Sequence, residues 1–186
     1  FLVEYFGRSI DFDPNSITDL PKGFKRLSYQ IDAVNDGFAK MMKHNGFILA
    51  DVVGLGKTIV ATIIAKKYFY TNGFPTHRSR TLIIVPPALK ENWSETVDKF
   101  RLDNVKIITN GSLHKVTDPA RYDLIIVDEA HKFRTDTATM YNELQKILVY
   151  YRMTFGQPRQ EELINAIAEL RGGDNCKAFT GLFIDL

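Results

Sequence analysis

The stretch Phe47-Ile48-Leu49-Ala50-Asp51-Val52-Val53-Gly54-Leu55-Gly56-Lys57-Thr58 decides the fold. It starts as a short apolar run, passes through a glycine-containing loop, and enters residues 57–70. There Ile59, Ile63, Ala65 and Lys66-Lys67 suit a helix. A buried-type strand, a tight loop and a helix in direct succession form the first half of a unit in which helices connect parallel strands.

The alternation continues downstream. Thr81-Leu82-Ile83-Ile84-Val85 reads as a strand stopped by Pro86-Pro87, and Leu89 to Phe100 as a helix. Val105-Lys106-Ile107-Ile108 and Asp123-Leu124-Ile125-Ile126-Val127 are further strands, and Met140, Leu144, Ile147, Leu148 and Tyr151 make one helical face. Upstream, residues 28–43 read as an amphipathic helix with Ile31, Val34, Phe38 and Met42 at helical spacing and Ser28 as its N-cap. Strands that are apolar throughout and separated by helices predict an α/β fold: a three-layer parallel sheet with helices on both faces. Ligands of such sheets sit at the carboxyl ends of the strands.

Three regions follow from this pattern. Residues 1–24 are a loop-rich extension with turn chemistry at Asp11-Phe12-Asp13-Pro14-Asn15 and Leu20-Pro21-Lys22-Gly23. Residues 25–147 form one lobe. Residues 148–186 form a tail, either the end of that lobe or a discontinuous segment. In it, Pro158 to Leu170 reads as a helix ended by Gly172-Gly173, and Phe179 to Leu186 as a strand.

Composition narrows the class. The chain has 186 residues, 45% hydrophobic and 25% charged, with a net charge of +2. That suits one domain with a sizeable core and does not by itself announce nucleic-acid binding. Cys176 is the only cysteine, so no internal disulfide forms and the residue is read as core. No apolar run approaches the roughly 18 residues of a membrane span, and Phe1 to Phe6 lacks the plan of a signal peptide. An intracellular protein is expected, cytoplasmic if bacterial and nuclear if eukaryotic. The start, without Met and in mid-pattern, suggests a piece of something longer.

The loop after the first strand has the parts that polyphosphate needs. Gly54 and Gly56 lack Cβ atoms and, with Leu55 between them, let backbone N–H groups converge. The helix that follows points its N-terminus at the anion. Lys57 supplies a cation for the outer phosphates, and Thr58 offers a hydroxyl to magnesium. ATP with Mg2+ is the implied ligand. The general pattern G-x-x-x-x-G-K-[ST] would place glycine where Asp51 stands.

A second loaded segment follows the fourth strand: Asp128-Glu129-Ala130-His131. Asp128 is expected to hold the magnesium, through water, because this ion keeps most of its hydration shell. Glu129 is expected to orient and deprotonate the attacking water. His131 is placed to link the nucleotide site to a neighbouring surface.

With these segments in view, the chain resembles superfamily 2 helicases and translocases. Asp128-Glu129-Ala130-His131 looks like their motif II. Ala50 to Thr58 looks like the Swi/Snf-type motif I, Asp-Glu-x-Gly-Leu-Gly-Lys-Thr, in which aspartate stands where Asp51 does and Val52 replaces the usual glutamate. Leu27-Ser28-Tyr29-Gln30 resembles Leu-Arg-x-Tyr-Gln, which implies an adenine contact for Gln30. Leu82 to Leu89 with Asn92-Trp93 resembles motif Ia, and Ile107 to Leu113 is a looser match to motif Ib. These imply nucleic-acid contacts around Pro86, Lys90, Asn110 and Ser112. Trp93 itself is read as core packing rather than a base-stacking platform.

The resemblance covers roughly residues 24–147 and implies the first RecA-like lobe of an ATP-driven translocase on double-stranded DNA, without sequence specificity. A second RecA-like lobe, with the arginine fingers, is expected elsewhere in the full-length protein, so the isolated chain should hydrolyse ATP weakly. Motif III is missing at its usual distance; Lys177 to Leu182 is a faint match that arrives late and lacks the final threonine. The basic residues Lys66, Lys67, His77, Arg78 and Arg80 form a second candidate for phosphate contacts, set against an ordinary solvated surface. Two other readings stay open: the motor lobe of a restriction enzyme or RNA helicase, and a non-catalytic nucleotide-binding module.

Overall fold

Thr81–Val85 and Leu124–Asp128 are apolar along almost their whole length because both faces of each strand are covered. In the computed structural model, which describes residues 20–24, 27–44, 46–50, 56–130, 132–135, 138–155 and 179–185, they are β2 and β4 of a five-stranded sheet. The other strands are β1 (Gly46–Ala50), β3 (Val105–Thr109) and β5 (Phe179–Asp185), and the order across the sheet is β1-β5-β4-β2-β3. The helices are α1 (Ser28–His44), α2 (Lys57–Thr71), α3 (Lys90–Lys99), α4 (Lys132–Thr135) and α5 (Ala138–Phe155).

β2 pairs in parallel with β3 and with β4. β5 lies between β1 and β4 and runs antiparallel to both, so β1 and β4 point the same way across it. The parallel arrangement expected from the sequence therefore holds for β1 to β4 in direction, and β5 makes the sheet mixed.

Alternation along the strands builds two cores. Ile83, Val85, Leu124 and Ile126 face α1, α2 and α3 in one apolar cluster. Leu82, Ile84, Ile125 and Val127 face the other way, onto Phe133 of α4 and Tyr141, Leu144, Ile147 and Leu148 of α5. The result is three layers, helices on each face of the sheet. The α5 stripe agrees with the sequence pattern at Leu144, Ile147 and Leu148, with Met140 packed at its margin.

α1 is rotated slightly from its sequence reading. Val34, Gly37 and Met41 are buried, whereas Met42 is 53% exposed. Gly37 explains the choice: a Cβ there would stand 2.7 Å from the ring of Phe47 and 2.9 Å from Ile64. The helix thus sits close on β1 and α2 along the Val34–Gly37–Met41 line. Ser28 is the first helical residue and not the cap, since the carbonyl of Leu27 accepts the first helical N–H groups, those of Gln30 and Ile31. The expected helix over 158–170, Cys176, and the turns of residues 11–15 lie outside the described residues.

α2 is buried on nearly every side, between the sheet, α1 and α3. It nevertheless carries Lys66, 1% exposed. The Lys66 ammonium donates to the carbonyl of Phe100, the residue that ends α3. A cation at a helix C-terminus meets both an unpaired carbonyl and the negative end of the helix dipole. Lys66 is therefore an internal clamp and not a phosphate contact. Its neighbour Lys67 lies 4.5 Å over the ring of Phe38, and burial holds its ammonium below the ordinary lysine value.

Replacing Lys66 by methionine keeps the apolar stem and removes the donor. The expected cost is about 1–3 kcal/mol, that of an unsatisfied buried carbonyl, read by urea unfolding. An unchanged midpoint would mean that the Lys66–Phe100 bond adds nothing to the fold.

Candidate functional site

β1 and β4 both end at one edge of the sheet, and the two chemically loaded segments leave from those ends. The first resumes at Gly56, the N-cap of α2, with φ +79 and ψ 37. This left-handed conformation favours glycine, and no side chain caps the helix start. A Cβ on Gly56 would also stand 2.7 Å from Nε2 of Gln30. Gln30 is thus brought against the end of the loop, although it comes from α1. It lines a small apolar pocket with Leu20, Phe24, Leu27 and Ile31.

Lys57 and Thr58 open α2 and are both half-buried. The carbonyl of Thr58 accepts the Thr62 hydroxyl, which ties the first turn to the second. Asp51, Gly54 and Leu55 of the loop lie outside the described residues, as does His131.

At the end of β4, Asp128 is held from two sides. The indole N–H of Trp93 donates to Oδ2 at 2.7 Å, and the backbone N–H of Glu129 donates to Oδ1 at 2.9 Å. Glu129 has φ 55, an uncommon conformation for a residue with a Cβ, costing roughly 1–2 kcal/mol. Its carbonyl accepts the N–H of Lys132 and so starts the turn into α4. Two donors on two oxygens require two acceptors; an asparagine at 128 would set its own NH2 against one of them.

Burial raises the pKa of the Asp128 carboxyl above its ordinary value. The Trp93 hydrogen bond opposes this, then the Glu129 N–H, and finally the positive charge of Lys57; the Glu129 carboxylate adds a smaller upward push. Lys57 and Asp128 therefore feel each other across the sheet edge despite their separation in sequence.

The residues with an expected nucleic-acid role sit at the same edge, over β2 and β3. Val85 pairs with Thr109, so the loops after these strands are neighbours. Pro86 is buried, and its carbonyl accepts the N–H of Leu89 in the 3-10 turn Pro87–Leu89. Lys90 is exposed at the start of α3. Asn110 and Ser112 are half-buried in the 3-10 segment Asn110–Lys115, which the Thr109–Ser112 hydroxyl contact at 3.0 Å closes and Leu113 anchors.

The 66–80 basic cluster lies elsewhere. His77 contacts Asp123 at 2.8 Å, and the N–H of Arg80 donates to the same carboxylate at 2.7 Å. Both occur where β2 and β4 begin, the end of the sheet opposite Asp128.

Trp93 does more than the core packing expected of it. It is 2% exposed and packs in the core as expected, yet its polar end is spent on Asp128. Its sequence gives one signal: a buried indole N–H needs an acceptor, and an apolar helix face offers none.

Comparison with known proteins bears on this arrangement. The model of the SNF2-related domain matches residues 29–112. An uncharacterized ATP-dependent helicase, YqhH, of Bacillus subtilis is 31% identical over 174 residues, covering 81% of this chain and 30% of that protein. The DNA annealing helicase and endonuclease ZRANB3 of Homo sapiens is 30% identical over 170 residues, covering 73% and 15% respectively. The chromatin remodeling factor mit1 of Schizosaccharomyces pombe is 25% identical over 186 residues, covering 78% and 13%. The chain thus spans less than a third of the length of each of these relatives.

The shifted carboxyl gives a first test of the site. Because the folded value of Asp128 exceeds the unfolded one, the fold favours its protonated form. Its contribution to stability is complete below the ordinary carboxylate value of about 3.9, and is lost as pH rises through the raised folded value. Side-chain 13C titration of the nucleotide-free protein should place the Asp128 midpoint above about 3.9. A midpoint at or below that value would contradict the buried setting.

Proposed function

This chain belongs to the SNF2-related family, and we propose that it is the ATP-binding motor lobe of a Swi/Snf-type ATPase, coupling ATP hydrolysis to movement along double-stranded DNA. One observation carries the reading: Lys57, at the uncapped start of α2, and Asp128, at the end of β4, lie on segments that follow the carboxyl ends of two strands running the same way, at one end of the sheet. A cation, a helix start and a partly buried carboxylate oriented by two donors suit a magnesium-bound polyphosphate.

The residues divide the work by their chemistry. The backbone of Gly54, Leu55 and Gly56 receives phosphate oxygens, and Lys57 holds the outer phosphates. The Thr58 hydroxyl and Asp128 hold the magnesium, which supplies charge neutralisation where the phosphates are crowded. Gln30, already against Gly56, contacts adenine beside the apolar pocket of Leu20, Phe24, Leu27 and Ile31. Glu129 orients the attacking water and takes its proton. Its left-handed backbone aims its side chain differently from an extended strand end. His131 links the site to a neighbouring surface.

Double-stranded DNA is received through its backbone by the loops after β2 and β3. Lys90, Asn110 and Ser112 are the side chains available there, with Pro86 shaping the turn from inside. Phosphate contacts of this kind carry no sequence information. The names of two relatives, a DNA annealing helicase and a chromatin remodeling factor, support a DNA partner. A second RecA-like lobe supplies arginine fingers, which are worth roughly 10³–10⁵ in rate. The chain alone therefore hydrolyses ATP slowly.

Calorimetric titration with a non-hydrolysable ATP analogue and magnesium tests the site. Lys57→Ala should weaken binding at least about tenfold, the loss of roughly one charge-assisted contact; unchanged affinity would refute the assignment. In the full-length protein, Glu129→Gln should leave binding within twofold and lower turnover by about 10²–10⁴, the span of general-base catalysis. Retained turnover would remove Glu129 from the chemistry.

A further inference from the structure

Trp93 and Asp128 belong to different elements, and their hydrogen bond ties α3 to the end of β4. The bond is short, 2.7 Å, and the indole is 2% exposed. Asp128 has a second donor, the N–H of Glu129, but that donor is its own chain neighbour. A contact one residue away moves with the strand end and leaves the carboxylate plane free to turn about it. A donor on a separate, packed helix does not move with the strand end, so the pair of donors defines both position and plane.

The two bonds use one acceptor site on each oxygen. A carboxylate has about four such sites, so each oxygen keeps one for a ligand. Indole is a donor only and cannot compete for a cation. It is thus a group that can orient a metal-binding carboxylate without binding metal itself. In addition, Trp93 is fixed by its own surroundings: it packs with Val97, Phe100 and Val85 in the core of α2, α3 and the sheet.

We propose that Trp93 is a positioning residue for magnesium: it locks the Asp128 carboxylate, from α3, in the orientation that receives the ion beside the nucleotide. The inference rests on Asp128 being the magnesium-holding residue. Partners of this kind, one step removed from the metal, typically change metal affinity or activity by 10–100-fold when lost. The competing account is a core tryptophan that satisfies its N–H on the nearest acceptor, with no consequence for metal.

Trp93 is the only tryptophan in the sequence, so replacing tryptophan throughout the chain changes one site. Incorporation of β-(3-benzothienyl)alanine keeps the bicyclic ring and puts sulfur where the N–H was. Trp93→Phe removes the same donor with some loss of volume. The measurement is binding of a fluorescent ATP analogue in a magnesium titration, with a parallel titration in EDTA. The expected result for both proteins is a rise of about tenfold or more in the magnesium concentration at half-saturation, with metal-free nucleotide affinity within twofold of wild type.

Unchanged magnesium dependence in the benzothienyl protein overturns the proposal, even if Trp93→Phe fails to fold. Equal losses with and without magnesium also overturn it, because they mark a packing role only. Asp128→Ala separates this failure from that of the underlying site. If Asp128→Ala shifts the magnesium dependence and the benzothienyl protein does not, Trp93 alone is excluded. If neither shifts it, the magnesium assignment of Asp128 fails and the proposal falls with it.

Discussion

Four strands that point the same way oblige every segment leaving their ends to open at one edge of the sheet. β1, β4, β2 and β3 share that direction, and the segment that resumes at Gly56, Asp128-Glu129, and the loops at Pro86 and Asn110 all follow those strand ends. Chemistry that is scattered along the sequence is gathered by this single constraint. The helices that return the chain to the opposite edge cover both faces, which is why the strands are apolar throughout. Where the opposite edge carries polar contacts, as at His77, Arg80 and Asp123, they close the fold and do not face the site.

The edge also concentrates local costs. Glu129 adopts a left-handed backbone and Asp128 keeps a partly buried carboxylate. Neither is what folding alone would select. Both become intelligible if the carboxylate has to meet a cation, since the αL turn at Glu129 returns an N–H to Asp128 and starts the turn into α4 at once. The core on both faces, with Leu82 to Val85 and Leu124 to Val127 fully buried or nearly so, offsets such costs.

Much of this was legible in the residues. The strands at 81–85 and 124–127 are continuous apolar runs between turn residues, and the Gly-Leu-Gly-Lys-Thr loop stands directly between a strand and a helix. Four features were not legible. The direction of β5 is a matter of pairing, which no local pattern encodes. The burial of Met41 in place of Met42 depends on the close approach allowed by Gly37, a contact with Phe47 and Ile64 from two other elements. The Trp93–Asp128 bond joins residues 35 apart in sequence, and the pairing of β2 with β4 brings α3 over the end of β4. In the same way Lys66 reads as surface charge until α3 is seen to end on it.

The central claim is that a magnesium-bound nucleotide sits at the ends of β1 and β4, against Asp128. Manganese replaces magnesium at hard oxygen sites and broadens nearby NMR signals. The indole 15N–1H signal of Trp93 is unique in the chain and its N–H lies on Oδ2 of Asp128. Adding a manganese complex of a non-hydrolysable ATP analogue should broaden that signal strongly at substoichiometric metal, while the magnesium complex leaves it sharp. Bound manganese nucleotide that leaves the indole signal unbroadened would contradict the account, because the metal would then lie away from Asp128.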